Sequence, residues 1–242
     1  MLSLVAVLPE PPLLVPELAT GAAAQTAELR SACAGAAARL AGAATRWIAV
    51  GADAGGRRTV CPPARGSFLG FGVNVVVGLD PASAAEPVDP DMPLPLLIAG
   101  WVAAAAGAGV SIRGELVAPD ETPRACADLG AALAAECAAD PRPVGLLVVG
   151  DGAATHTEKA PGYLDERAGP FDAGVAAALR DADAGALAHL DADLATALFA
   201  AGRAPWQVLA GAAAGDPWRG ELLHSSIPYG VAYHVAVWTP LR

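Results

Sequence analysis

The fold is decided by residues 144–159, which read VGLLVVGDGAATHTEK. The first six, Val144–Val149, form an apolar run with no polar residue at alternate positions. Such a run is typical of a strand that is buried on both faces of a sheet. Residues 150–152 read GDG, which indicates a turn where this strand ends. A buried central strand followed by a polar loop is the basic unit of a parallel sheet.

Similar units lie on both sides of this stretch, and strands alternate with helices through most of the chain. Leu2–Leu8 and Trp47–Gly51 are further apolar runs that predict buried strands. The remaining predicted strands are Val73–Val77, Val110–Val117, Glu221–Ser226 and Val231–Trp238. The predicted helices are Ala22–Ala43, Leu96–Ala108, Thr122–Ala139, Phe171–Ala201 in two or three pieces, and Trp206–Ala214, while Arg57–Gly72 is predicted as a loop. This order predicts one α/β domain over residues 1–242: a central, mostly parallel sheet with helices on both faces and a C-terminal β-hairpin.

Composition excludes several classes of partner. Fifteen basic and 25 acidic residues give a formal net charge of −10, and Lys159 is the only lysine. Because no basic stripe is present, we expect neither nucleic acid nor an anionic membrane surface as a partner. The uncharged stretch Met92–Ile112 is long enough to span a bilayer, but Pro93, Pro95 and its many small residues favour a buried helix running into a strand.

The cysteines and the N-terminus predict a cytoplasmic protein. The four cysteines form no CxxC pair and lie at no zinc-finger spacing from a histidine. We therefore expect them to be reduced thiols. The N-terminal residues carry no basic region and are interrupted by prolines, which excludes a signal peptide of the usual kind.

Candidate site residues follow the predicted strands. In parallel sheets, ligand sites gather where strands end. Glu10 follows the first strand, and Asp151, His156, Glu158 and Lys159 follow the strand Val144–Val149. This group of ionisable residues is dense for a chain in which 17% of the residues are charged. The chain has no GxGxxG, P-loop or GxSxG motif, so neither nucleotide binding nor serine-hydrolase chemistry has support.

Three segments resemble the class III extradiol ring-cleavage dioxygenase superfamily, in its catalytic B-subunit-like branch. They are LPEPPLLVPELATG at 8–21, GDGAATHTEKAPGYLDERAGPFDA at 150–173 and GRAPWQVLAGAA at 202–213. The resemblance implies an Fe(II) ion held by two histidines and one carboxylate, which cleaves a catecholic substrate. It places His156 as the acid/base residue and Glu10 where the family has an iron-binding histidine. Substrate contacts are then expected from Asp151, Glu158 and Lys159.

The other iron ligands of the family pattern have no counterpart in this chain. The loop Gly51–Gly72 lacks the second histidine, and no acid stands near Trp206-Gln207, where the late carboxylate belongs. Two hypotheses about function therefore stay open, and whether the chain is an enzyme stays open with them. One is a ring-cleavage dioxygenase; the other is a non-catalytic module on the same fold that binds a small molecule or a protein.

The nature of the ligand is open at this stage as well. A small aromatic or anionic ligand would meet His156 and Lys159, whereas Glu10 and Glu158 favour a neutral or cationic one. We expect Glu10, His156 and Glu158 to line one pocket. Since relatives in this superfamily often assemble, a homodimer is also expected.

Overall fold

The computed structural model describes residues 1–19, 21, 24–107 and 109–241. Its strands are β1 (Leu2–Leu8), β2 (Arg46–Ala52), β3 (Arg58–Val60), β4 (Arg65–Ser67), β5 (Val76–Gly78), β6 (Ser111–Val117), β7 (Val144–Val149), β8 (Trp218–Ser226) and β9 (Tyr233–Pro240). Its α-helices are α1 (Ala27–Ala43), α2 (Leu94–Ala105), α3 (Pro123–Ala139), α4 (Ala168–Asp181), α5 (Ala184–Ala188), α6 (Ala192–Ala197) and α7 (Arg203–Ala213).

Within the described residues, seven strands form one sheet in the order β3-β6-β2-β7-β1-β9-β8. The four central strands, β6, β2, β7 and β1, are parallel. The strands β3, β9 and β8 each pair antiparallel with their neighbours, and β8 with β9 forms the C-terminal hairpin. The predicted α/β class, with its mostly parallel centre and terminal hairpin, is confirmed.

Side chains that alternate along the strands enter two separate cores. On one face, Val7 and Val148 pack with α3, α4 and α7; on the other, Leu8 and Val149 pack with α1 and α2. We call these the α4 face and the α1 face. Because both faces are covered, β7 is buried and apolar throughout, as the run at Val144–Val149 predicted.

Several predicted boundaries agree with the structure. The strands β1 and β7 begin and end at the predicted residues. Helix α3 begins as predicted, with Pro123 as its first residue and the Thr122 hydroxyl accepting the amide of Ala125 at 3.2 Å. The predicted breaks between Phe171 and Ala201 also occur, and they separate α4, α5 and α6. The four cysteines are free thiols.

Other boundaries were predicted wrongly. Helix α1 begins at Ala27 rather than at Ala22, since Thr26 is its N-cap and residues 24–26 form a turn; positions 22 and 23 lie outside the described residues. The predicted loop Arg57–Gly72 contains β3 and β4, which are three residues each and too short to show periodicity. The strand predicted at Val73–Val77 begins only at Val76.

No helix among the described residues is long and apolar enough to cross a bilayer. The stretch Met92–Ile112 instead forms the twelve-residue helix α2, a connecting turn and the start of β6. Most of α2 is buried on the α1 face, which explains its apolar composition. The predicted order of a buried helix followed by a strand is therefore correct for this stretch.

Helices α3 and α7 approach each other closely at two glycines. A Cβ atom on Gly130 would lie 2.1 Å from the carbonyl oxygen of Val208, and one on Gly211 would lie 2.2 Å from that of Ala127. Backbone atoms cannot yield as a flexible side chain can, so these glycines set the distance between the two helices. That distance positions the first turn of α7 at the end of the sheet where β1 and β7 finish.

We predict that Gly130→Ala destabilises the protein by about 1–3 kcal/mol, the usual cost of overpacking a close contact. The matched control is Gly35→Ala, on the exposed side of α1, where a Cβ meets no atom within 4 Å. Alanine favours helix over glycine by about 1 kcal/mol, so the control should be stabilised. Chemical denaturation measures both variants, and equal stabilisation of the two would contradict the packing argument.

Candidate functional site

Two polar clusters lie at the carboxyl edge of the sheet, the edge where β1 and β7 end. The first is the acidic pair, Glu10 and Asp151. Leu8 and Val149 are register partners in the parallel strands β1 and β7, so the residues that follow them are neighbours. The backbone amide of Glu10 donates a hydrogen bond to Asp151 Oδ1 at 2.7 Å.

Burial raises the pKa of both carboxyl groups of the acidic pair, so each holds its proton to a higher pH than it would in water. Burial first, and then the negative charges of Asp151 and Asp53, raise the pKa of Glu10 well above its ordinary value of 4.5. Burial raises the pKa of Asp151 from 3.8 to about 7, and the hydrogen bond from the Glu10 amide opposes this only in part. Near neutral pH the pair therefore retains a proton, because two buried negative charges side by side are unfavourable.

The acidic pair points towards the α1 face. Burial and the charge of Asp151 raise the pKa of Cys33, on α1, to about 12, and the same two causes raise the pKa of the buried Tyr233 phenol. Glu10 is only 8% exposed, and its Oε2 atom has no hydrogen-bond partner among the described residues. A buried carboxyl oxygen without a partner carries a desolvation cost that a bound hydroxyl, ammonium group or water would remove.

The second cluster is built around Asp172 on α4. Its Oδ2 atom lies 2.6 Å from His156 Nε2, and its Oδ1 atom lies 3.3 Å from His234 Nε2. The amide of Ala153 donates to both carboxylate oxygens at 3.2 Å. The ring of His234 continues through Nδ1 to the hydroxyl of Ser225 at 3.0 Å. We call these four side chains, His156, Asp172, His234 and Ser225, the Asp172 cluster.

The Asp172 carboxylate orients both imidazoles. Carboxylate oxygens accept, so Nε2 of His156 and Nε2 of His234 are the donors. In a neutral His234, Nδ1 accepts from the Ser225 hydroxyl. Nδ1 of His156 forms no hydrogen bond within the described part of the chain, and the side chain is 9% exposed. His156 is thus an imidazole oriented by a carboxylate, with its basic nitrogen available.

The two clusters lie on opposite faces of the sheet. Tyr233 belongs to the core on the α1 face, whereas the next residue, His234, lies near Trp206 on the α4 face with 6.2 Å between ring centroids. Successive side chains of β9 therefore reach towards different clusters. The loop after β7 joins them, because Asp151 belongs to one cluster and His156 to the other.

The sequence-predicted site residues are distributed over these clusters and the surface. Glu10 lies with Asp151, and His156 lies with Asp172 and His234. Glu158 and Lys159 are exposed, and neither forms an ion pair among the described residues. Neither Asp172 nor His234 was singled out from the sequence. The spacing of Asp172 from Val175 and Leu179 could have indicated it, because the three residues lie on the same buried side of α4. A buried acid needs a hydrogen-bonding or charged partner.

The side chains in place do not fit the iron centre that the resemblance implies. Both histidines of the Asp172 cluster direct Nε2 at one carboxylate, and they lie on the α4 face, away from the acidic pair. Among the described residues, no three His, Cys, Asp or Glu side chains are placed to hold a metal ion. A site with two histidines and one carboxylate is therefore not assembled around Glu10.

Comparison with known proteins supports the fold and no more. No protein-family model matches the chain, and no curated protein matches it either. Among solved structures, the chain is similar to the crystal structure of the uncharacterized protein JW3007 from Escherichia coli K12. The two are 14% identical with a TM-score of 0.52, and the match covers 98% of this chain and 99% of that one. The likeness shows a shared fold over nearly the whole length of both.

We predict that Asp151→Asn removes part of the pH dependence of stability. Unfolded Asp151 ionises near pH 3.8 and the folded form near 7, so a rise in pH across this window favours the unfolded chain. The variant should be more stable than wild type at pH 8 by a few kcal/mol, since one pKa unit corresponds to about 1.4 kcal/mol. Asparagine Oδ1 can still accept the Glu10 amide.

Urea denaturation from pH 4 to pH 8 measures this difference. The exposed Asp216→Asn is the matched control, and its curve should run parallel to that of wild type. If Asp151→Asn also runs parallel to wild type, the acidic pair is solvated and the argument from burial is wrong.

Proposed function

We propose that this chain binds a small molecule with an acidic hydroxyl group, such as a phenol, catechol or enol, and exchanges a proton with it through His156. The observation that carries the proposal is the 2.6 Å contact between His156 Nε2 and Asp172 Oδ2 in a buried setting. A carboxylate that holds one imidazole nitrogen leaves the other as a positioned base.

A buried polar atom supports a ligand near this loop. Thr155 Oγ1, next to His156 in the chain, has no hydrogen-bond partner among the described residues. Buried polar atoms are nearly always paired, so an unpaired oxygen beside His156 favours a bound molecule or bound water there.

The resemblance supports the same residue. In class III extradiol dioxygenases the counterpart of His156 is the acid/base residue beside the substrate. Our proposal keeps that role and the small phenolic ligand. The proposed proton exchange does not involve iron, because the side chains in place do not fit the metal site. Cytoplasmic localisation, which rests on the reduced cysteines, and a homodimer, which rests on the resemblance, remain part of the proposal.

A chromogenic catechol tests the proton transfer. 4-Nitrocatechol changes its visible absorption when it loses a proton, so its spectrum reports the ionisation state of the bound form. We predict that wild-type protein at pH 6 increases the nitrocatecholate band and that His156→Gln abolishes the increase. The control is His189→Gln, which removes the helix-end bond to Gly185 O at 2.7 Å and should leave the spectrum unchanged. Equal spectra for wild type and His156→Gln would remove His156 from the site.

The competing proposal, ring cleavage by iron, has a separate test. Protein incubated with Fe(II) without oxygen is desalted, and bound iron and oxygen uptake with catechol are measured. We predict well under one equivalent of iron. Stoichiometric iron that is lost in Glu10→Gln, together with oxygen uptake, would establish the dioxygenase hypothesis and would show that the ligand set rearranges.

A further inference from the structure

A second site is indicated by a buried arginine that has no acidic partner. Arg203 is the first residue of α7 and is 1% exposed. Its guanidinium donates to the carbonyl oxygens of Glu121 and Pro119, the latter at 2.6 Å, and to Gln207 Oε1 at 3.0 Å. These three acceptors are uncharged. Within the described residues no carboxylate lies within ion-pair distance of Arg203.

The electrostatic cost of this arrangement is unusual. A buried charge is normally paired, since desolvation alone costs several kcal/mol for each ion. The position in the first turn of α7 adds to the cost, because a helix N-terminus carries a partial positive charge and favours anions. Of the two acids in the adjoining loop, Asp120 is exposed and Glu121 Oε1 accepts the Thr122 amide at 3.2 Å. Neither forms an ion pair with Arg203 among the described residues, although Asp120 lines the same cavity.

The guanidinium of Arg203 has donors that these bonds do not use. Of its five N–H groups, two on Nη1 and one on Nη2 are engaged, which leaves Nε–H and one N–H of Nη2. Arginine can offer two such donors to the two oxygens of a carboxylate in a bidentate manner.

A cavity of about 330 Å³ adjoins Arg203. Its volume lies within the range of small-molecule sites. The walls are mainly apolar and come from the loop after β6 and from α6 and its end; beside Arg203 and the acidic Asp120 they are formed by Pro119, Ala195, Thr196, Phe199, Ala200 and Ala201. We call this space the Arg203 cavity.

Phe199 gives this cavity an aromatic wall at a cost in backbone energy. Its φ of 55° is left-handed, a conformation that favours glycine, and it ends α6 with the Ala200 amide bonded to Ala195 O at 2.9 Å. A bulky residue there costs about 1–3 kcal/mol. The ring is nevertheless 63% exposed, so packing in this chain repays little of that cost. An aromatic ring beside a cavity suits a flat apolar ligand.

We propose that the Arg203 cavity binds a small aromatic or other apolar monocarboxylate, with its carboxylate on the unused donors of Arg203 and its apolar body between Phe199 and the wall formed by Pro119. This site shares no residue with the Asp172 cluster or the acidic pair, and it stands independently of the proposed function. The positive charge and the two unused donors select the carboxylate, and the apolar walls select the rest of the ligand.

Calorimetric titration with benzoate tests the proposal, with benzamide as the uncharged ligand of the same shape. We expect saturable benzoate binding and benzamide binding at least about tenfold weaker, since a hydrogen bond to a charged group is worth more than one to a neutral group. Equal binding of the two, or no binding of benzoate up to about 10 mM, would overturn the proposal. Phenyl phosphate is the third ligand, and tighter binding than benzoate would overturn the choice of a carboxylate.

Variants locate the site. Arg203→Gln should weaken benzoate at least about tenfold, because the charge-assisted bonds are lost. The exposed Arg124→Gln should not, although it removes the same charge from the chain. Because Arg203→Gln also loses bonds that hold the loop after β6, Thr196→Trp fills the cavity without touching the guanidinium. Thr196→Trp should abolish benzoate binding, whereas Ala38→Trp, on the exposed side of α1, should not; unchanged binding in Thr196→Trp would place benzoate elsewhere.

Discussion

The Asp172 carboxylate, on α4, joins its helix to the loop after β7 and to β9. It receives the amide of Ala153 from the loop after β7, the ring of His156 from the same loop and the ring of His234 from β9. The contact requires a glycine next to it, since a Cβ on Gly152 would lie 2.3 Å from Asp172 Oδ1 and 2.8 Å from Ala232 Cβ. Without Asp172, two imidazoles and a backbone amide would lose their acceptor.

The path of this loop explains why the two clusters are close and yet separate. Gly152 and Ala153 exchange backbone hydrogen bonds with Ala232 at 2.8 and 3.0 Å, so the loop after β7 continues beside the start of β9. From there, Tyr233 and His234 point to opposite faces, as successive strand residues must. The acidic pair is thus set by the register of parallel strands, whereas the Asp172 cluster is set by an antiparallel strand and a helix.

This difference determined what could be predicted from the sequence. Apolar runs located β1 and β7 correctly, and the rule that sites gather at the carboxyl ends of strands drew attention to Glu10 and Asp151. Asp172 and His234 are 62 positions apart and meet through tertiary packing that no local pattern encodes. Arg203 was missed for a related reason: its lack of an acidic partner is visible only when all of its neighbours in space are known.

The buried polar groups of this edge differ in how their charge is balanced, and this determines what a ligand must supply. In the acidic pair a retained proton removes the repulsion, so a ligand there has to supply a hydrogen bond rather than a charge. In the Asp172 cluster one carboxylate and two imidazoles satisfy one another, which leaves a proton acceptor at His156 Nδ1. At Arg203 no carboxylate among the described residues forms an ion pair with the guanidinium, whose acceptors are neutral, and arginine does not deprotonate in proteins. The ligand that we propose at Arg203 is therefore an anion, whereas the one that we propose beside His156 carries an acidic proton, and these requirements are chemically distinct.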